Sequence, residues 1–168
     1  VFRKQMERRP CGRKLMPIPF IDIFAGPGGL GEGFSSYQND GRNFAFNAVL
    51  SIEMEERAHE TLTLRSFFRQ FRHTNRKLPG VYYEYLRGNL SREDLFTAWP
   101  KEAKKAKAEA QQIELGGSRK EDDPARVKNL SSEAIGKSKK WVLLGGPPCQ
   151  AYSLVGRSRM GGISGDDP

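Results

Sequence analysis

The chain predicts an α/β fold built on an open parallel sheet. Three observations carry this. The run from Ile18 to Phe24 is short, β-branched and aromatic, and it ends in a glycine turn that opens a helical stretch. A second apolar run, FAFNAVLSIE (44 to 53), ends on an acid and is followed by another helix. Far downstream, KKWVLLGG returns as a third apolar run, again closed by glycines. Strands alternating with helices assemble into a parallel sheet, because each crossover returns the chain to the same end.

Each element follows from its residues. Residues 1 to 17 are basic and irregular, a tail or a first helical turn. The strand from Ile18 to Phe24 reads as buried on both faces. Gly26 to Gly29 form the turn, and a helix runs on to about Tyr37. NDG at 39 to 41 is a turn signal. The second strand ends at Glu53. In the following MEERAHETLTLRSFFRQF, Ala58, Leu62, Phe68 and Phe71 fall close to helical spacing.

From Arg72 to about Lys140 the chain is polar and poor in β-branched residues. The segment 72 to 135 therefore reads as a largely helical insertion rather than sheet core. Within it, PKEAKKAKAEAQQIEL (100 to 115) reads as one helix. Its residues are good helix formers, Pro100 stands near its start, and Gly116 and Gly117 stand at its end. GGSRKEDDP reads as a flexible connection before the last strand.

Composition narrows the function classes. Lys plus Arg is 28 against 20 for Asp plus Glu, a formal net charge of +8, which favours a polyanionic partner such as nucleic acid. A hydrophobic fraction of 37% is low for a globular domain, consistent with a solvated segment in the middle. No apolar run approaches the ~20 residues of a membrane span. The opening VFRKQMERRPCGRK has no apolar core and does not read as a secretory signal. Cys11 and Cys149 are too few for a disulfide framework and have no zinc spacing, so a reducing cytoplasm fits.

Gly26, Gly28 and Gly31 match a G-x-G-x-x-G pattern after a strand, a weak signal on its own. Glycines let a ligand approach the backbone, and the following helix N-terminus favours an anion. Glu53 closes the second strand, where an acid can hold ribose hydroxyls. A nicotinamide or flavin, or S-adenosylmethionine, would satisfy this pair. A nucleoside triphosphate would not, because no Gly-Lys-Ser/Thr follows the turn. Cys149 separates the alternatives. The third apolar run would end beside the same crevice, and Pro147 and Pro148 fix the backbone by locking φ. A thiol held rigidly beside a cofactor site, near arginines that favour its thiolate, reads as a nucleophile.

DIFAGPGGLGEGF (22 to 34) together with GGPPCQAYSLVGRSR (145 to 159) resembles the cytosine-5 DNA methyltransferases. Asp22 to Phe34 meets that family's first motif, and Gly146 to Ser153 meets its Pro-Cys-Gln motif. The resemblance implies a Rossmann-like S-adenosylmethionine-dependent methyltransferase sheet, present here in its N-terminal part. It implies that Cys149 adds to carbon 6 of a flipped cytosine, with S-adenosyl-L-methionine as methyl donor and S-adenosyl-L-homocysteine as product. Phe24, Ala25, Gly26, Pro27, Gly28, Gly29 and Leu30 would line the methionine part of the cofactor. Glu53 would take the ribose hydroxyls and Met54 would lie against the adenine, with Pro148 also at the cofactor. Gln150, Ser153, Gly156, Arg157 and Arg159 would lie on a loop that closes on double-stranded DNA. The setting implied is the bacterial cytoplasm.

The chain also departs from the family. No Glu-Asn-Val and no Gln-x-Arg-x-Arg pattern occurs in these 168 residues, and the expectation is that they hold no target recognition domain. The family's adenine-contacting aspartate after the third strand has no match, and Asp122 and Asp123 stay unassigned. The expectation is a fragment or split subunit that binds cofactor but does not methylate alone, with a second chain as the source of the missing motifs. Lys101, Lys104, Lys105 and Lys107 read first as a solvated face and second as extra DNA surface. Rival readings are a transfer-RNA cytosine-5 methyltransferase, a non-catalytic cofactor- or DNA-binding subunit, and a dinucleotide oxidoreductase, which leaves PPCQ unexplained.

Overall fold

The computed structural model describes residues 16–39, 43–72, 77–116 and 124–147. In chain order the elements are β1 (Ile18–Ile23), α1 (Gly29–Ser36), β2 (Phe46–Glu53), α2 (Glu56–Arg72), α3 (Gly80–Leu86), α4 (Arg92–Ala98), α5 (Pro100–Glu109), β3 (Ala110–Gln112), α6 (Pro124–Ile135) and β4 (Val142–Gly145). The strands form one four-stranded sheet in the order β3-β2-β1-β4, and every pairing is parallel. The predicted open parallel α/β sheet is thus present, in the strand order of one Rossmann half plus its first neighbour across the switch.

The two central strands are covered on both faces, as parallel strands must be. Phe20, Ile21 and Asp22 of β1 are buried, with Ala48, Leu50, Ser51 and Ile52 of β2. One face packs Ile21, Leu50 and Ile52 with Ile113 and the apolar side of α6. The other face packs Phe20, Ala48 and Leu144 with Phe34 of α1. Between Phe20↔Ala48 and Ile21↔Leu50 the register slips by one residue, a bulge at Val49.

The segment 72 to 135 is where the sequence reading needs correction. It is mostly helical, but β3 lies inside it and pairs with β2 from Ser51↔Ala110 to Glu53↔Gln112. The single helix expected over 100 to 115 stops at Glu109, and Ala110 turns extended at φ −90°, ψ 110°. Helix propensity favours continuing through the two glutamines. Pairing at the edge of β2 and full burial of Ile113 outweigh that preference. The part of the segment outside the sheet is a helical block in which α3, α4 and α5 pack on α2. Its own aromatic core contains Phe67, Phe71, Tyr82, Leu95 and Phe96.

A buried ionic cluster joins this block to the sheet. Arg69 of α2, 3% exposed, donates to Glu32 of α1 at 3.0 Å and to Glu109 at the end of α5. Ser66 donates to the same Glu109 at 2.6 Å, and Arg72 bonds Glu32 at 3.0 Å. Burial pulls the Arg69 pKa down, but the carboxylates of Glu109 and Glu32 more than reverse this, so the guanidinium stays charged.

No helix of the described residues is long and apolar enough to cross a membrane. Gln38 and Phe44 bridge antiparallel across the turn signalled at 39 to 41, whose residues 40 and 41 lie outside the described set.

Candidate functional site

β1 leads on one side to β2 and is flanked on the other by β4, so the sheet's connections diverge between β1 and β4. Ligands of open α/β sheets bind outside the carboxyl ends of the strands at such a point. The approach of β4 depends on Gly145. A Cβ there would meet Ile23 Cγ1 at 2.8 Å and the Ile23 carbonyl oxygen at 3.1 Å. Gly145 therefore lets β4 close on β1 and brings Gly146 and Pro147 out beside the residues that follow Ile23.

Those residues are the turn. Phe24 leaves β1 at φ +55°, a left-handed conformation that a bulky residue rarely adopts. Ala25 N donates to the Ile52 carbonyl at 2.9 Å, which ties the turn back across β2. Gly28 sits at φ +87°, which favours glycine, and a Cβ would meet Leu62 Cδ1 of α2 at 2.8 Å, so glycine lets the turn lie close against α2. α1 then starts at Gly29.

Glu53 holds the turn from the neighbouring strand. Its Oε2 accepts from Gly26 N at 2.7 Å and its Oε1 from Glu55 N at 2.8 Å. Each carboxylate oxygen retains a lone pair after these bonds. The carboxylate is thus fixed in direction and still able to accept from a ligand hydroxyl. Next to it Met54 is 59% exposed, while Phe24 and Leu30 present apolar surface at 37% and 50%. Glu55 caps α2 by accepting from Ala58 N at 2.6 Å and Arg57 N at 3.1 Å. The Ala58 bond first, then the Arg57 bond, lowers its pKa.

Beneath the turn lies Asp22, 1% exposed. Its Oδ2 has no hydrogen-bond partner, and a Cβ on Gly31 would come within 2.8 Å of that atom. Burial pushes the carboxyl pKa up, against the Gly31 amide bond and the nearby Arg69. The sequence reading named Asp22 only as the start of a motif. Its position in the middle of an apolar run was the signal for a buried acid under the glycines.

Phe24, Ala25, Gly26, Pro27, Gly28, Gly29, Leu30, Glu53 and Met54 are thus gathered at the carboxyl ends of β1 and β2. Pro148, Cys149, Gln150, Ser153, Gly156, Arg157 and Arg159 lie outside the described residues. A further contributor went unseen. β3 ends at Gln112, whose Nε2 donates to the Met54 carbonyl at 3.3 Å, and Glu114 follows two residues later. Reading 100 to 115 as helix hid this strand end. Among the described residues no group of three His, Cys, Asp or Glu side chains could hold a metal ion.

The sequence has a relative among known proteins. The chain is 33% identical over 162 residues to a Type II methyltransferase of Bacillus paralicheniformis. The match takes in 88% of this chain and 34% of that protein, so the chain spans about a third of the relative's length. No protein-family model and no solved structure matches the chain. The similarity supports a methyltransferase, and the four-stranded parallel sheet with helices agrees with a methyltransferase-like arrangement.

Proposed function

We propose that the chain forms the cofactor-binding part of a DNA cytosine-5 methyltransferase. The observation that carries the reading is the meeting of three features at one switch point. These are the glycine turn, the Glu53 carboxylate held across it, and the strand that leads into the Gly-Pro-Pro-Cys-Gln sequence.

The residues fit S-adenosylmethionine. The turn from Phe24 to Leu30 offers backbone where side chains would obstruct, at the start of α1, where an anion such as the methionine carboxylate is favoured. Glu53 accepts from the ribose hydroxyls. Met54 and Phe24 offer apolar surface to the adenine, and Gln112 or Glu114 at the end of β3 completes that side. The bound cofactor supplies an electrophilic methyl group. Cys149 supplies the other half of the chemistry. Its thiolate adds to carbon 6 of a cytosine drawn out of the duplex, and the ring becomes a nucleophile at carbon 5. After methyl transfer, loss of the proton from carbon 5 expels the thiolate. Gln150, Ser153, Gly156, Arg157 and Arg159 follow on a segment that meets DNA, the arginines at phosphates. The glutamate and arginine of the missing patterns, and sequence recognition, come from residues beyond this span, on the same or a second polypeptide.

Calorimetric titration with S-adenosylmethionine, with NAD as control, tests the reading. Binding of the first and not the second is expected. Glu53→Gln keeps an acceptor for Gly26 N but lacks the charge, and it should weaken binding roughly tenfold, the scale of one charge-assisted bond. Binding of NAD in place of S-adenosylmethionine would identify a dinucleotide oxidoreductase instead.

A further inference from the structure

A cavity among the described residues lies away from the switch point. It is a groove of about 750 Å³ between α4 and α5. Its basic side chains converge on one ring. The Arg92 guanidinium carbon stands 5.1 Å from the Phe96 centroid, and Lys107 Nζ stands 5.4 Å from it. Lys104, one turn before Lys107, lines the same groove. Phe96 itself is only 8% exposed, so the ring serves as floor rather than as a stacking platform. Cation–π contact with the one ring favours both positive heads at the groove. Two carboxylates offset the charge in part. Glu60 meets Arg92 at 3.3 Å, and Glu93 stands on the groove's edge. Three cations, Arg92, Lys104 and Lys107, stand against these two carboxylates, so the surplus remains cationic.

Position matters as much as charge. Glu60 stands four residues into α2, ~6 Å along its axis at 1.5 Å per residue. α2 in turn begins three residues after Glu53. The Arg92 end of the groove therefore lies beside the first turns of α2, toward the carboxyl ends of the strands. An open trough with cations along one wall suits the edge of a polymer of phosphates.

We propose that the α4–α5 groove binds the phosphate backbone of duplex DNA, outside the catalytic crevice, through Lys104, Lys107 and Arg92. The proposal rests on the reading of the chain as part of a DNA methyltransferase. It assigns to the helical block a share of substrate binding that no base contact supplies. Such contacts are independent of sequence and depend strongly on salt.

The test is fluorescence anisotropy of a labelled duplex titrated with the chain across a salt series, beside the calorimetric titration with S-adenosylmethionine. The variants are Lys104→Gln/Lys107→Gln and the charge-keeping Lys104→Arg/Lys107→Arg. The glutamine pair should weaken DNA binding about tenfold and flatten the slope of log K against log salt by about 1 to 2, close to one per phosphate contact. The arginine pair should keep both near wild type. Cofactor binding should not change in either. Equal DNA affinity and slope in wild type and the glutamine pair would overturn the proposal. So would a wild-type chain that binds cofactor but no duplex, which leaves the methyltransferase reading standing. Displacement of the duplex by transfer RNA at equal phosphate concentration would overturn DNA as the occupant. A groove effect on DNA without any cofactor binding would sink the methyltransferase reading and leave the groove.

Discussion

The end of the sheet and the helical block are built on opposite terms. Where β1 and β2 end, the chain holds a non-glycine residue at positive φ, a buried acid with one oxygen unpartnered, and a glycine pressed against a leucine. Each of these costs stability. The block of α2 to α5 is packed with rings instead. Phe67 touches Phe71, Tyr82 and Phe96 at centroid distances of 5.3 to 6.4 Å, and Trp99 closes edge-on against Phe71. The contrast teaches a division of labour. Apolar burial in the block offsets the strain and polarity that the ligand end needs, and Arg69 couples the two through Glu32 and Glu109.

The division can be broken most severely at its stable end. Phe67 is fully buried and central to the aromatic cluster, so Phe67→Ala should cost ~3–5 kcal/mol. Denaturant unfolding should show a lower midpoint, and in urea the slope should hold if the protein still unfolds in one step. Next comes the coupling itself. Arg69→Met leaves Glu109 buried without its cation, and removing one partner of such a pair costs ~3 kcal/mol or somewhat more. Adding Glu109→Gln to Arg69→Met should recover much of that loss. Full additivity of the two changes in thermal melts would show that the pair is not coupled.

How much of this was legible in the sequence follows the same division. β1 and β2 were readable because burial on both faces demands apolar runs, β4 because its short apolar run is closed by glycines, and the turn because turns demand glycine. Helix α2 was readable from its periodicity. β3 was not. AQQ is a run of three residues with no β-branched member, following a lysine- and alanine-rich helix, and its strand state comes from pairing with β2 rather than from its own preference. The Glu32–Arg69–Glu109 cluster was equally hidden, since charges spaced along three helices read as solvated faces until packing brings them together. Phe24 was singled out for its motif, yet nothing local announced its positive φ. The groove between α4 and α5 was half visible. The lysines were seen on one helix, but their meeting with Arg92 over Phe96 is a product of tertiary structure.

At the ligand end the comparison sharpens between two adjacent glycines. Gly28→Ala places a methyl group 2.8 Å from Leu62 Cδ1 in a left-handed conformation, and should cost ~1–3 kcal/mol. A Cβ on Gly29 would meet nothing within 4 Å, and its φ is not positive, so Gly29→Ala should stay within ~0.5 kcal/mol. Gly28 is the N-cap of α1, where alanine is also disfavoured, and this adds to the difference between the two. If cofactor binding, measured by calorimetry, drops in the first and survives in the second, the turn is set by its fit against α2. Equal loss in both would instead mean that the ligand itself lies on the Gly29 side of the turn.

The smallest effect is the most specific. Burial raises the Asp22 pKa in the folded state, so the folded chain binds this proton more tightly than the unfolded chain. The resulting stabilisation is fully present below the unfolded carboxyl value of ~3.9 and is lost as pH rises through the folded value. Ionising the buried carboxyl carries a desolvation cost, which the Gly31 amide and Arg69 reduce. Asn at this position keeps the acceptor for Gly31 and has no charge to desolvate. Stability of Asp22→Asn relative to the parent should therefore rise from acid to neutral pH, whatever the other carboxylates contribute to both proteins. Denaturant midpoints at pH 4 and pH 7 measure this difference directly. A gap between the two proteins that stays constant with pH would mean that Asp22 keeps the same protonation on folding, and that Arg69 compensates its burial in full.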